Sequence, residues 1–277
     1  MNSHLLLFDI GNTNIKVGVA NGQGLLESYS LPTDPRCTAD DLGLRLTDLA
    51  RHFLTSRGLA CEGALQPEAV LACSVSPSMD PLLRKACRRF FDSEVRFVNQ
   101  DLSLPLENRY ERPREVGADR LLSAFAGRAL YPAPAHIVID FGTATTFDCV
   151  QGAAYLGGLI CPGLLSSARA LSSQTAKLPQ ITLEVDSEEL VIGRSTSDSL
   201  NQGLLFGFSA MVEGLTAKLK PLLGGEAMVI ATGGFGRAVA RLCPAIDHVR
   251  PDLLLEGLRL LYSAPGTQSD KHPQPDN

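Results

Sequence analysis

The chain opens with short apolar runs that stop on polar turns. Leu5-Leu6-Leu7-Phe8 ends at Asp9-Ile10-Gly11-Asn12-Thr13-Asn14, and Ile15-Lys16-Val17-Gly18-Val19-Ala20 then runs up to Asn21-Gly22. Residues 25–31 fit a third run. Alternation between turn residues predicts an antiparallel meander of three strands. The same order returns at Ile137-Val138-Ile139-Asp140-Phe141-Gly142-Thr143-Ala144-Thr145-Thr146, continues over residues 147–150, turns at Gln151-Gly152 and runs through 155–160. Asp9 and Asp140, Gly11 and Gly142, and Val19 and Val150 each stand 131 residues apart. That offset is close to half the chain and predicts a duplication.

Between and after the meanders the apolar period lengthens to that of helices. Thr38, with Asp41 three residues on, reads as an N-cap. Leu42, Leu46, Leu49 and Phe53 then share a face, and Gly58 can end the helix. Residues 81–91 repeat the pattern. Leu121, Leu122, Phe125 and Ala129 form another stripe, residues 204–219 a long one, and residues 254–261 the last, opened by Pro251. These stripes are core positions. Residues 70–75 and 227–231 read as short buried strands. Meander plus helices in each half predicts an α/β class fold of two lobes, residues 1–113 and 114–262, divided near Pro113. The 263–277 tail, rich in Pro, Gln, Asp and Lys, is expected to be disordered.

Composition narrows the function classes. Of 277 residues, 44% are apolar and 20% charged, the balance of a globular protein. The net charge of -5 gives no general attraction to a phosphate backbone, so no nucleic-acid partner is expected. No apolar run is long enough to span a bilayer, and residues 1–8 do not make a signal peptide, so neither a membrane partner nor export is expected. Seven cysteines without a C-x-x-C pair predict reduced, mostly buried thiols in the cytoplasm. The five histidines lack zinc-binding spacing.

Four segments carry candidate chemistry. Asp9-Ile10-Gly11-Asn12-Thr13-Asn14-Ile15-Lys16 places a carboxylate at a strand end before a glycine-bearing turn. The turn amides and the Thr13 hydroxyl can hold phosphate oxygens. Asp9 can hold Mg2+, directly or through water, and Lys16 adds positive charge. The alternative is a hairpin whose Asp and Asn satisfy turn amides. Asp140-x-Gly142-Thr143-Ala144-Thr145-Thr146 repeats this physics. Thr232-Gly233-Gly234 after an apolar run lets backbone approach a flat group. In Gly117-Ala118-Asp119-Arg120 the carboxylate can take a proton from a hydroxyl, and the arginine can hold an anion. By itself that segment also reads as an ordinary helix start.

In order, these segments resemble type III pantothenate kinases, in which D-x-G-N-T, G-A-D-R, D-x-G-T-A-x-T, a P-G stretch ending in T-A-x-L-P, I-G-K-N-T and A-T-G-G follow one another. Here the later ones read Pro162-Gly163, Thr175-Ala176-Lys177-Leu178-Pro179, Ile192-Gly193-Arg194-Ser195-Thr196 and Ala231-Thr232-Gly233-Gly234. The resemblance runs from about residue 5 to 262. It implies two duplicated ribonuclease H-like lobes of the actin-like ATPase fold, with the active site in the cleft between them. It implies transfer of the ATP γ-phosphoryl group to the primary hydroxyl of pantothenate, the first step of coenzyme A biosynthesis. Residues 9–16 would bind ATP phosphates, Thr143 would contact ATP, and Gly233 and Gly234 the adenosine. Asp119 would be the general base. Gly117, Ala118, Asp119 and Arg120 would bind pantothenate, with Tyr110 covering it and Thr196 contacting it. Asp140 would ligate K+ or NH4+. The family works as a homodimer whose substrate pocket is completed at the subunit interface. Arg194-Ser195 departs from the commoner Lys-Asn, which leaves that substrate contact open. Two other readings remain: a kinase of the same superfamily acting on another small hydroxyl compound, and a nucleotide-binding regulator without catalysis.

Overall fold

The computed structural model describes residues 4–59, 65–174, 183–184 and 187–264. Its elements are β1 (Leu5–Ile10), β2 (Asn14–Ala20), β3 (Leu25–Pro32), α1 (Ala39–Ser56), β4 (Ala69–Ser74), α2 (Asp80–Phe91), β5 (Val95–Phe97), β6 (Glu107–Asn108), α3 (Ala118–Leu130), β7 (Ala135–Phe141), β8 (Ala144–Gln151), β9 (Ala154–Pro162), α4 (Leu164–Gln174), α5 (Thr196–Leu222), β10 (Met228–Thr232), α6 (Gly236–Ala240), β11 (His248–Val249) and α7 (Leu253–Ser263). One sheet has the order β3-β2-β1-β4-β5 and the other β11-β10-β7-β8-β9-β6. In both, three antiparallel strands are extended by parallel ones: β4 runs parallel to β1, and β10 parallel to β7. This is an α/β fold with two sheets of related topology.

The duplication holds strand by strand, with one refinement. Three residues, Gly11 to Thr13, link β1 to β2, whereas Gly142 and Thr143 alone link β7 to β8. The offset between copies is therefore 131 up to the turn and 130 beyond it. Asp9 faces Lys16 across the first hairpin, and Asp140 faces Thr146 across the second. The third strands carry matching register shifts, at Val19/Ala20 and Cys149/Val150, and both end on proline, Pro32 and Pro162. The partner of Val19 is thus Cys149 and not Val150. A one-residue deletion in the turn was hidden because Cys149 and Val150 are both apolar and either can be aligned with Val19.

The chain falls into two compact units. One takes the described residues up to Leu104, Gly117–Leu122 and the chain from Leu254; the other takes Pro105–Val116 and Ser123–Leu253. The division expected near Pro113 is more interleaved than a single cut. Residues 105–116 join the second unit because Glu107 and Asn108 pair with Ala154 and Tyr155 of β9. The last helix joins the first unit, where Leu255 packs 3.0 Å from the place a Cβ would occupy on Gly18.

Each unit has its own core. In the first, Phe8, Ile10, Val17 and Phe97 from the sheet meet Leu42, Leu46 and Phe53 of α1 and Leu83 and Cys87 of α2. Gly43 lets α1 close on α2, since a Cβ there would overlap the Phe90 ring. In the second, Ile137, Ile139, Phe141 and Phe147 meet Leu205, Phe208 and Val212 of α5, with Val239 of α6. Burying each such large side chain is worth about 1.5–3 kcal/mol. Thr38 caps α1 as its spacing predicts, its hydroxyl accepting from the Asp41 amide at 3.1 Å. The strands expected over 70–75 and 227–231 are β4 and β10. No helix among the described residues is long and apolar enough to cross a membrane. Six cysteines are free thiols, four of them buried; Cys61 lies outside the described residues, as does the tail beyond Ala264.

Candidate active site

In the first unit, β1 delivers Asp9 to the end of the sheet, and parallel pairing sets it beside Cys73 of β4. Side chains of paired positions share a face, so Lys16, Asp9 and Cys73 form one row across three strands. The turn that follows is tied at its base. The Gly11 amide donates to the Asn14 carbonyl at 3.0 Å, and Thr33 reaches back from the end of β3. The Thr33 hydroxyl donates to the Gly11 carbonyl at 2.7 Å, and its amide to the Thr13 carbonyl at 2.9 Å. Asn12, Thr13 and Asn14 are left exposed at the tip. Thr33 lies 22 residues from Gly11, and nothing local in the sequence signals this brace.

Asp119 lies in the first turn of α3. Its Oδ1 accepts from the Arg120 amide at 2.8 Å. Gly117 is required next to it, because a Cβ there would overlap that same Oδ1. Burial raises the Asp119 carboxyl above its ordinary value, and the Arg120 amide and guanidinium pull partly back. Burial also pushes the Cys73 thiol well up, and the carboxylates of Asp9, Asp119 and Asp80 add to that push, in that order. Two carboxylates singled out from separate motifs, Asp9 and Asp119, thus act on one buried thiol. The third, Asp80, is held by the Ser74 hydroxyl at 2.5 Å and the Gln100 amide at 3.3 Å.

In the second unit, β7 delivers Asp140 beside Thr232 of the parallel strand β10. Gly233 follows with a φ of 84°, in the left-handed region that favours glycine. A Cβ at Gly233 would overlap Asp140 Oδ1 and lie 2.7 Å from the Phe141 carbonyl. The second phosphate-type turn and the Thr-Gly-Gly turn are therefore in contact. Gly163 closes on the same turn from its other side: a Cβ there would overlap the Thr143 carbonyl oxygen, to which the Ser166 hydroxyl also donates at 2.7 Å. Sequence reasoning missed Ser166, although its nearness to Pro162-Gly163 was a usable signal.

Tyr110 rests against β9. Its amide donates to Asn108 Oδ1 at 3.0 Å, and its ring lies 6.4 Å from that of Tyr155. Thr196 is the first residue of α5 and is exposed. Ser195 is the N-cap of that helix, its hydroxyl accepting from the Asp198 amide at 3.1 Å. Serine and asparagine cap about equally well, so this departure from the family pattern keeps its structural role. Gly193, Arg194 and Asp198 line a surface hollow of about 630 Å3. Residues 175–179 lie outside the described residues.

A family model described as type III pantothenate kinase matches residues 5–218. A relative from Nitratidesulfovibrio vulgaris strain DP4, named type III pantothenate kinase, is 61% identical over 95% of this chain and 98% of its own length. One of the same name from Oleidesulfovibrio alaskensis is 56% identical over 96% and 99%, and one from Myxococcus xanthus 39% identical over 93% and 97%. Among solved structures, a Baf family protein from Campylobacter jejuni, described as a transcriptional activator, superposes with a TM-score of 0.54 at 17% identity, over 93% of this chain and 97% of that one. A ROK hexokinase from Thermus thermophilus does so with a TM-score of 0.50 at 16% identity, over 93% and 98%. Those two likenesses speak for the fold. The agreement over nearly the whole length, at up to 61% identity, speaks for more: the chain belongs to the type III pantothenate kinase family.

Proposed function

We propose that the chain transfers the γ-phosphoryl group of ATP to the primary hydroxyl of pantothenate, with Asp119 as the base that accepts the hydroxyl proton. The observation that supports the residue assignment is that Gly117, against which the Asp119 carboxylate packs, lies beside Val75, whose amide donates to the Ile10 carbonyl at 3.0 Å. It joins the candidate base to the candidate phosphate turn. Phosphoryl transfer asks little covalent work of a protein; it needs an in-line approach and stabilisation of spread negative charge. Residues 9–16 hold the phosphates through turn amides, the Thr13 hydroxyl and Lys16. Thr143 contacts the nucleotide, and Gly233 and Gly234 let backbone lie against the adenosine. Gly117, Ala118, Asp119 and Arg120 hold pantothenate, with Tyr110 over it and Thr196 contacting it. Arg120 supplies the charge that an anionic substrate needs.

The residues suit the ions this reading calls for. Among the described residues, no group of three or more His, Cys, Asp or Glu is arranged to hold a metal. Mg2+ needs none, since it keeps waters and takes one or two carboxylates with substrate phosphates; Asp9 is the residue assigned to it. Asp140 is assigned to K+ or NH4+. The bare backbone of Gly233 lets the Asp140 carboxylate and the Phe141 carbonyl crowd against it, and such a pair of neighbouring oxygens suits a hard cation. When bound, the cations neutralise triphosphate charge.

The protein is further proposed to be a cytoplasmic homodimer that engages neither nucleic acid nor membrane. The free thiols support a reducing compartment. Helix α5 supports the dimer. It carries no charged residue from Ser199 to Val212, yet Gly203, Gly207, Ala210 and Gly214 are exposed along one side of it. The three glycines face open space. An exposed helix interior is a poor place for glycine unless another surface covers it.

The test is phosphorylation of pantothenate by purified protein with ATP and Mg2+, in K+ and then in Na+. Turnover in K+ that collapses in Na+, and that Asp140→Asn makes indifferent to the cation, is expected. Turnover equal in both salts would keep the kinase and remove the cation site. Folded protein that binds ATP but leaves pantothenate unphosphorylated would move the reading to another hydroxyl substrate.

A further inference from the structure

Strand β8 carries a buried carboxylate that the scheme above does not use. Asp148 is 1% exposed. The Tyr155 hydroxyl donates to its Oδ1 at 2.8 Å and the Thr146 hydroxyl to its Oδ2 at 3.2 Å. Taking a carboxylate out of water is expensive unless hydrogen bonds replace the lost solvation. The fold itself does not demand the arrangement. With the offset of 130, the first copy has Gly18 where the second has Asp148, and Leu25 where the second has Tyr155. The same strand positions are thus built with apolar groups in one unit and with a polar pair in the other.

Tyr155 is placed for this by the bulge in β9. Val150 pairs with Tyr155 and Cys149 with Gly157, so Leu156 is the extra residue. Because side chains alternate along a strand, that one-residue shift turns Tyr155 to the face of Asp148 and Val150. From there Tyr155 meets the segment that bears Tyr110 in three ways. Its carbonyl accepts from the Arg109 amide at 2.9 Å. Asn108 is its pairing partner. Its ring, fully buried, sits 6.4 Å from the Tyr110 ring at an interplanar angle of 40°, within the range of favourable aromatic pairs. Gly157 completes the seat. Its φ is 115°, and a Cβ there would stand 3.2 Å from the Tyr110 ring.

We infer that Asp148 and Tyr155 are positioning residues for the acceptor substrate: the buried pair fixes the strand on which Tyr110 rests, and so fixes the Tyr110 ring over pantothenate. This rests on the assignment of Tyr110 to pantothenate. Asp148 touches no reacting atom in this scheme. It acts through Tyr155, and Tyr155 through Tyr110.

The experiment is a double-mutant cycle read in steady-state kinetics and by calorimetric titration of pantothenate. Tyr155→Phe removes one hydroxyl and keeps the ring. It is expected to raise the pantothenate KM and Kd on the order of tenfold, the size of one lost hydrogen bond to a charged group, while the ATP KM stays within about twofold. In a Tyr110→Ala background the same change is expected to have no further effect, because the residue through which it acts is gone. Asp148→Asn keeps an oxygen for the Tyr155 hydroxyl and loses the charge, so it should show the same split with a smaller rise and the same dependence on Tyr110. If a single variant does not fold, Asp148→Ala with Tyr155→Phe removes both members of the pair together and leaves the half-buried Thr146 hydroxyl to bind water instead; it should show the same split. A Tyr155→Phe protein with lowered Tm but unchanged pantothenate KM would overturn the inference, as would an equal effect in both backgrounds. If Tyr110→Ala raises the pantothenate KM and Tyr155→Phe does not, only the inference falls. If Tyr110→Ala leaves pantothenate binding intact, the Tyr110 assignment falls and takes the inference with it.

Discussion

At the scale of single residues, function and stability pull Asp119 in opposite directions. Burial raises its carboxyl above the ordinary 3.8, so the folded protein holds the proton more tightly than the unfolded chain does. Stability from this group is then greatest below the unfolded pKa and declines as pH rises through the folded one. Asp119→Asn keeps an oxygen for the Arg120 amide and removes the charge. It is expected to lower kcat by about 10²–10⁴-fold while ATP still binds. Its Tm should match or exceed that of the parent at pH 7, with no gain near pH 3; thermal melts at the two pH values check this. Ser195 gives a contrast. It is a helix cap, so Ser195→Asn should leave Tm unchanged, and Ser195→Ala should destabilise by about 1 kcal/mol in a denaturant titration.

At the scale of elements, the two hairpin turns are alike in kind but differ in length and in what faces the Asp. Lys16 lies across from Asp9, and Thr146 across from Asp140. A lysine suits an anionic polyphosphate; a threonine leaves Asp140 facing an uncharged side chain. Around the second turn, glycines stand where backbones meet. Gly233→Ala meets a left-handed φ as well as Asp140 and Phe141. It should destabilise by about 1–3 kcal/mol and raise the ATP KM. Gly163→Ala should shift the Thr143 carbonyl and raise the ATP KM with a smaller effect on pantothenate. Measuring both KM values for each variant separates these outcomes from general unfolding.

At the scale of the whole molecule, the chain is not divided by one cut, because its last helix returns to the first unit and residues 105–116 belong to the second. Truncation before Leu253 is therefore expected to unfold the first unit, whose Gly18 is shaped to receive Leu255. The uncharged length of α5 bears on assembly. Gly207 has open space around it, so Gly207→Arg is tolerable in a lone subunit and even favoured by helix propensity. In a dimer sealed through this face it is not tolerable. Light scattering is expected to show a dimer for the parent and a monomer for the variant. A monomeric parent would remove the dimer.

Sequence alone was enough wherever the cause is local. Periodicity marks the strands and helices, Thr38 marks the start of α1, and Asp-x-Gly repeated at half the chain length marks the duplication, because each signal lies within a few residues of its effect. The motifs in order were enough to find the family. Contacts between distant segments were decided only by the tertiary structure. Thr33 braces a turn 22 residues away, Gly233 closes on Asp140, and Gly117, next to the Asp119 carboxylate, lies beside Val75, whose amide is bound to Ile10. The one-residue shortening of the second turn was hidden as well, since a deletion between apolar strands leaves the pattern intact and shows only when hydrogen-bonded partners are read off. The bulge that turns Tyr155 toward Asp148 belongs to the same class. A sequence states which side chains alternate, but the face each one reaches depends on pairing with another strand, and that is a property of the folded sheet.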